Sequence, residues 1–159
     1  MKATSQHATT AHKGFLLDTS VISLLAPGRE PHVPVGFADW LRTRSEQVFI
    51  PCIAVAELAQ GIGKLRRSGG TQRADRLDQW LDKLIAGYGE RILGLDAAAA
   101  RLAGSLSDEA IALGRHPGFA DMAIAALALH ASCLLLTSNV RHFQPLGIAC
   151  ADPLVQLPA

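Results

Sequence analysis

Apolar positions along the chain alternate between two rhythms. Residues 14–18, Gly-Phe-Leu-Leu-Asp, form a short unbroken apolar run closed by an acid. A run this short, bounded by glycine, predicts a strand buried on both faces. Thr19 or Ser20 is placed to cap a helix over 21–25, which Ala26-Pro27-Gly28 stops. Prolines at 27, 31 and 34 predict a loop, followed by a short helix presenting Phe37, Trp40 and Leu41. Residues 48–50 read as a second strand, and Pro51 stands where a helix start tolerates it. Over 52–67, Val55, Leu58, Ile62 and Leu65 recur at steps of 3, 4 and 3, the helical period. Ser68-Gly69-Gly70 breaks that helix. Another over 71–87 carries Leu77, Trp80, Leu81, Leu84, Ile85 and Tyr88 on one stripe, so the pair predicts an antiparallel hairpin. Residues 91–95 predict a third strand. Asp96 then caps an alanine-rich helix with Ala99, Leu102, Leu106 and Leu113 inward, ended by a turn at 114–118. The helix over 119–131 is apolar nearly all round and therefore central. Residues 133–136 predict a fourth strand and 148–150 a candidate fifth. This alternation predicts an α/β fold: a three-layer α/β/α sandwich around a mostly parallel sheet of four to five strands.

Composition narrows the class. The chain has 159 residues, 49% hydrophobic and 18% charged, which fits one folded domain and excludes wholesale disorder. We expect a polar N-terminal tail over 1–13 and a single domain over 14–159. Three cysteines without a CxxC pair argue against a disulfide framework or zinc knuckle and for a reducing, cytoplasmic setting. No apolar leader opens the sequence, and the longest apolar stretch, 119–136, is interrupted by Asp121 and His130, so no membrane span is expected.

The candidate chemistry lies in acids within apolar surroundings. In an open parallel sheet, ligands bind beyond the carboxyl ends of the strands. Asp18 ends the first strand, and Thr137-Ser138-Asn139 follows the fourth. Glu57 and Asp121 stand in apolar helical segments, where an unpaired carboxylate is costly. A divalent cation with oxygen ligands, Mg²⁺ or Mn²⁺, explains all of them together. Each also has a plain structural reading. Asp18 caps the next helix, Glu57 shares a solvated face with Lys64, Asp121 favours a helix N-terminus, and Asn139 turns the chain. His116, His130 and His142 show no ligand spacing.

Four segments carry a family resemblance: F-L-L-D-T-S-V-I-S (15–23), A-V-A-E-L-A-Q-G-I (54–62), F-A-D-M-A-I-A-A-L-A (119–128) and L-L-T-S-N-V-R-H-F (135–143). In order and spacing they resemble the four motifs of PIN-domain ribonucleases, closest to the VapC toxin branch with its FitB-like members, over residues 14–150. The resemblance implies a Mg²⁺- or Mn²⁺-dependent endoribonuclease, the toxin of a type II toxin–antitoxin system. By motif, Asp18, Glu57 and Asp121 would hold the metal. Asn139 would complete the catalytic set as a neutral carboxamide where many relatives have an acid. Ser20 and Thr137 would be supporting hydroxyls. It also implies a VapB-like antitoxin and a homodimer, for which the 52–87 hairpin offers apolar surface.

Net charge fits this picture once the acids are set apart. The total is +1, from 15 Lys and Arg against 14 Asp and Glu. Without the three site acids, 11 acidic groups remain against 15 basic ones. RNA affinity is therefore expected to depend more on a cation in the pocket than on a broad basic face. Arg42, Arg44, Lys64, Arg66, Arg67, Arg73 and Arg141 are the candidate RNA contacts. The alternative is a non-catalytic RNA- or protein-binding module on the same fold. A phospho-accepting receiver domain is disfavoured, because residues 1–17 contain no acid.

Overall fold

Successive residues of the central strands face opposite sides of one sheet, and both sides are apolar. The computed structural model describes residues 11–159. The first ten residues of the expected tail lie outside that range. Among the described residues there are five strands: β1 (Gly14–Leu17), β2 (Val48–Pro51), β3 (Ile92–Leu93), β4 (Cys133–Leu136) and β5 (Cys150–Ala151). They pair in parallel in the order β3-β2-β1-β4-β5. The helices are α1 (Thr19–Ile22), α2 (Phe37–Thr43), α3 (Cys52–Arg67), α4 (Thr71–Tyr88), α5 (Ala97–Ala112), α6 (Phe119–His130) and α7 (Val140–Phe143).

Leu16, Phe49 and Leu135 point into a core shared with α5 and α6. Phe15, Leu17, Val48, Ile50, Leu134 and Leu136 point into a second core with α1 to α4. This period of two, apolar on both phases, gives the three layers expected of the sequence. Each fully buried leucine contributes roughly 1.5–3 kcal/mol, and Leu16, Leu17, Leu135 and Leu136 are all buried completely. Residues 122–128 of α6 are buried without a break, so this helix is as central as its sequence predicts.

The middle of the sheet leaves no room for added volume at Gly14. A Cβ there would lie 2.5 Å from the Gln47 carbonyl oxygen and 2.9 Å from a Phe49 ring carbon. Gly14→Ala is expected to lower the unfolding free energy by about 1–3 kcal/mol, read from the urea midpoint at unchanged slope.

The structure corrects several expected boundaries. The first helix starts at Thr19, and its N-cap is Asp18, whose carboxylate accepts the Thr19 N–H; neither Thr19 nor Ser20 is the cap. The chain continues from α1 as a 3₁₀ turn over Ser23–Leu25, and a second such turn, Glu30–His32, lies in the expected loop. β3 is two residues long, not five. Arg91 ends a 3₁₀ turn before it and donates to the carbonyls of Ser45, Val48 and Gly87, which stitches this edge to β2 by a side chain. β5 starts at Cys150, while Ile148 is drawn into the core. Leu113 is 59% exposed because α5 ends at Ala112 and Leu113 is its C-cap. Asp96 caps α5 as expected, accepting from Ala99 N–H at 2.8 Å. Among the described residues, no helix is long and apolar enough to cross a membrane.

Candidate metal and nuclease site

Sheet register builds the centre of the site. Leu17 of β1 is paired with Leu136 of β4, so the next residues, Asp18 and Thr137, emerge side by side at the carboxyl ends of both strands. This is the place where the chain order switches from one side of β1 to the other, the usual ligand position in an open α/β sheet.

Asp18 is only 4% exposed and Thr137 is fully buried. A buried carboxylate needs donors, and Asp18 has three. Its Oδ1 accepts from the Thr19 N–H at 2.8 Å. Its Oδ2 accepts from the Thr137 hydroxyl at 2.7 Å and the Ser20 hydroxyl at 3.0 Å. The two hydroxyls are held in turn. Asn139 N–H donates to Thr137 Oγ1 at 2.9 Å, and Ser138 N–H donates to Ser20 Oγ at 3.3 Å. The segment after β4 therefore fixes both supports of Asp18 through its backbone.

The other acids approach from opposite layers. Glu57 on α3 is half-buried, and its Oε1 accepts from the Thr19 hydroxyl at 2.7 Å. That contact directs Glu57 toward the residue beside Asp18, as the metal reading asks, and not onto the solvated face shared with Lys64 that was the alternative. Asp121 lies in the first turn of α6, as expected, and His142 Nδ1 sits 3.2 Å from its Oδ2. Burial, and after it the negative charge of Asp18, pushes the Asp121 carboxyl above its ordinary value. The His142 hydrogen bond acts in the opposite direction. Asn139 is half-buried next to α7 and contributes its backbone N–H; among the described residues its side chain has no hydrogen-bond partner.

The donor set suits a hard divalent cation. Its groups are carboxylates and a carboxamide, and Asp18 Oδ1 accepts a single hydrogen bond, which leaves a lone pair for a ligand. The mutual charge of Asp18 and Asp121 is a strain that a cation relieves. Among the described residues, no three His, Cys, Asp or Glu side chains already converge as one ligand shell.

A pattern match to the PIN domain covers residues 15–145. The chain belongs to the PIN domain family. The PIN fold also accounts for the likeness to named proteins. The plasmid stability protein StbB of Pseudomonas syringae pv. tomato is 31% identical over 140 residues, 87% of this chain and 96% of that protein. The structure of FitAcB from Neisseria gonorrhoeae matches with a TM-score of 0.73 and 28% identity, over 90% of this chain and 99% of that one. The DNA-bound VapBC of Salmonella typhimurium shares the fold, with a TM-score of 0.73 and 23% identity over 87% and 97% of the two chains. PIN domains are generally nucleases that use a divalent metal.

Two groups in this PIN site escaped sequence reasoning. Thr19 links Glu57 to the Asp18 turn, and His142 pairs with Asp121. A hydroxyl directly after a strand-end acid was a signal for the first. The second had none, because 21 residues separate the partners.

Removing the Asp121 charge is expected to stabilise the fold without metal. Its folded pKa is raised, so the folded state holds this proton to higher pH than the unfolded chain does. The stability this adds is present below the ordinary carboxylate range and is lost as pH rises through the raised value. At neutral pH, Asp121→Asn is expected to raise the melting temperature of chelator-treated protein by roughly 2–4 °C. The variant's advantage should shrink away as pH falls and wild-type Asp121 takes up its proton. An unchanged or lower melting temperature at neutral pH contradicts this.

Proposed function

We propose that this PIN domain is a Mg²⁺- or Mn²⁺-dependent endoribonuclease and the toxin of a type II, VapBC-like toxin–antitoxin system. The observation that carries the proposal is the buried Asp18 carboxylate, held by three donors at the carboxyl end of the sheet and facing the charge of Asp121. Family membership and the likeness to StbB and FitAcB support the toxin–antitoxin context.

In this reading Asp18, Glu57 and Asp121 would hold the cation. When bound, it stabilises negative charge developing on the phosphodiester and favours ionisation of the attacking water. The remaining work belongs to the chain. Thr137 and Ser20 hold Asp18 by Oδ2, which leaves Oδ1 turned to the Thr19 amide and the ligand side. Thr19 holds Glu57, and His142 holds one oxygen of Asp121. Asn139 stands at the site as a neutral oxygen donor able to orient water. We also propose that residues 14–159 act as one domain in the cytoplasm, as a homodimer regulated by a VapB-like antitoxin. The hairpin stripe first considered for dimer contacts is partly consumed within the domain, since Ile62 and Leu84 are buried in its own core.

The test is cleavage of RNA by purified, antitoxin-free protein. We expect scission that requires Mg²⁺ or Mn²⁺, stops with EDTA and resumes when the metal is restored. Expression alone should arrest growth. RNA binding without cleavage across both metals would instead favour the non-catalytic module.

A further inference from the structure

Two clefts flank the acids, and they differ in chemistry. The one on the Glu57 side, about 200 Å³, carries Arg29 and Arg73, but much of its wall is Leu58, Ile62, Leu77 and Trp80. The one on the Asp121 side is larger, about 330 Å³, and is walled by Arg115, His116, Pro117, Gly118, Asp121 and His142 among others. Three of those residues, Arg115, His116 and His142, have side chains that can donate hydrogen bonds to an anion, and Asp121 is the only acid among the lining residues.

Arg115 does not dangle from its turn. Its backbone N–H is bonded to Ala110 O at 2.8 Å, and its guanidinium donates to the Arg141 carbonyl at 3.4 Å, which leans it across the cleft toward α7. His116 presents an imidazole N–H in either neutral tautomer. Phe119 follows the cleft residue Gly118 directly and is 65% exposed, an unusual setting for a phenyl ring that has a neighbouring core to enter. Cationic side chains along a groove, with an exposed aromatic residue next in sequence to its wall, offer what single-stranded RNA requires: charge for the backbone and a ring for a splayed base.

We propose that this cleft is the RNA-strand subsite of the enzyme: Arg115 and His116 hold the phosphate next to the one cleaved at the acids, and Phe119 stacks on the base of that nucleotide. The assignment rests on the nuclease reading above. It adds Arg115 and His116 to the contacts expected from sequence, of which Arg141 lies beside this cleft.

The experiment compares wild type, Arg115→Ala, Phe119→Ala, Phe119→Tyr and Arg101→Ala, an exposed arginine of α5 outside the cleft, on a short single-stranded RNA with Mn²⁺. Arg115→Ala is expected to raise KM about tenfold with kcat within about twofold, because the contact is made equally in ground and transition states. The slope of log affinity against log salt should shrink by about 0.7, the value for one phosphate contact on a single strand. Phe119→Ala should raise KM by about tenfold, and Phe119→Tyr should restore it. Arg101→Ala should match wild type. Wild-type cleavage with unchanged KM and salt slope in Arg115→Ala overturns the subsite and leaves the nuclease reading standing. If Phe119→Ala alters only the oligomeric state in light scattering, the ring is a protein contact and the stacking role is overturned. If wild-type protein cuts no RNA with either metal, the nuclease reading falls and the subsite with it.

Discussion

Asp18→Asn protein is expected to cleave RNA on the order of 10³-fold more slowly than wild type, the scale of removing one preorganised charge from a metal-assisted centre. The substitution keeps the shape, and the Thr19 amide still finds a carbonyl oxygen, while the Thr137 and Ser20 hydroxyls, which donate to the carboxylate, turn to accept from the new side-chain N–H groups. The fold should therefore survive, and the loss is electrostatic. Two measurements check this. The first is the rate at saturating Mn²⁺. The second is the rise in melting temperature that Mn²⁺ gives to wild type, which the variant should lack, because a ligand stabilises only the state that binds it. A variant that folds, still gains stability from Mn²⁺ and still cuts RNA would remove Asp18 from the centre.

Thr137→Val tests the support instead of the ligand. The side chain is fully buried and the swap nearly isosteric, so packing is preserved. What is lost is a hydroxyl that donates to Asp18 and accepts from Asn139 N–H. Leaving a buried carboxylate short of a donor costs about 1–3 kcal/mol. We expect that loss in urea unfolding of the metal-free protein, together with a reduced cleavage rate. Thr137→Ser, which keeps the hydroxyl, should recover most of the activity. A Val variant of wild-type stability and rate would show that Asp18 is held well enough by Thr19 and Ser20 alone.

The legible parts of this molecule are those where local chemistry and global position coincide. β1 and β4 are unbroken apolar runs, and such runs have one comfortable place, a sheet covered on both sides. Asp18 and Asn139 follow those strands, so a rule about strand ends was enough to single them out. Legibility fell at the sheet edges. β3 and β5 are two residues long, and their ends are decided by neighbours, by Arg91 reaching three carbonyls and by Ile148 turning inward. It fell again wherever one side chain meets another across the fold. Glu57 was named as a candidate ligand, but its face on the helix could not be told from a solvated one without Thr19, which lies 38 residues away in sequence. Arg115 and His116 read as a plain turn, and only the packing of α5 against α6 and α7 opens a cleft beside them.

The pairing of Asp18 with Thr137 also has a consequence in time. Their contact spans 119 residues of sequence. At about 5–20 residues per second, a ribosome takes roughly 6–24 s to make the intervening chain. During that interval β1 has no β4 beside it and Asp18 lacks Thr137, while Asp121 is made only near its end. A chain still being translated thus cannot yet hold an assembled site, even after Asp18 and Glu57 have been made. If the protein is the ribonuclease proposed above, products that stop before β4 should be inert toward RNA, and a message encoding it would not be exposed to a half-built copy.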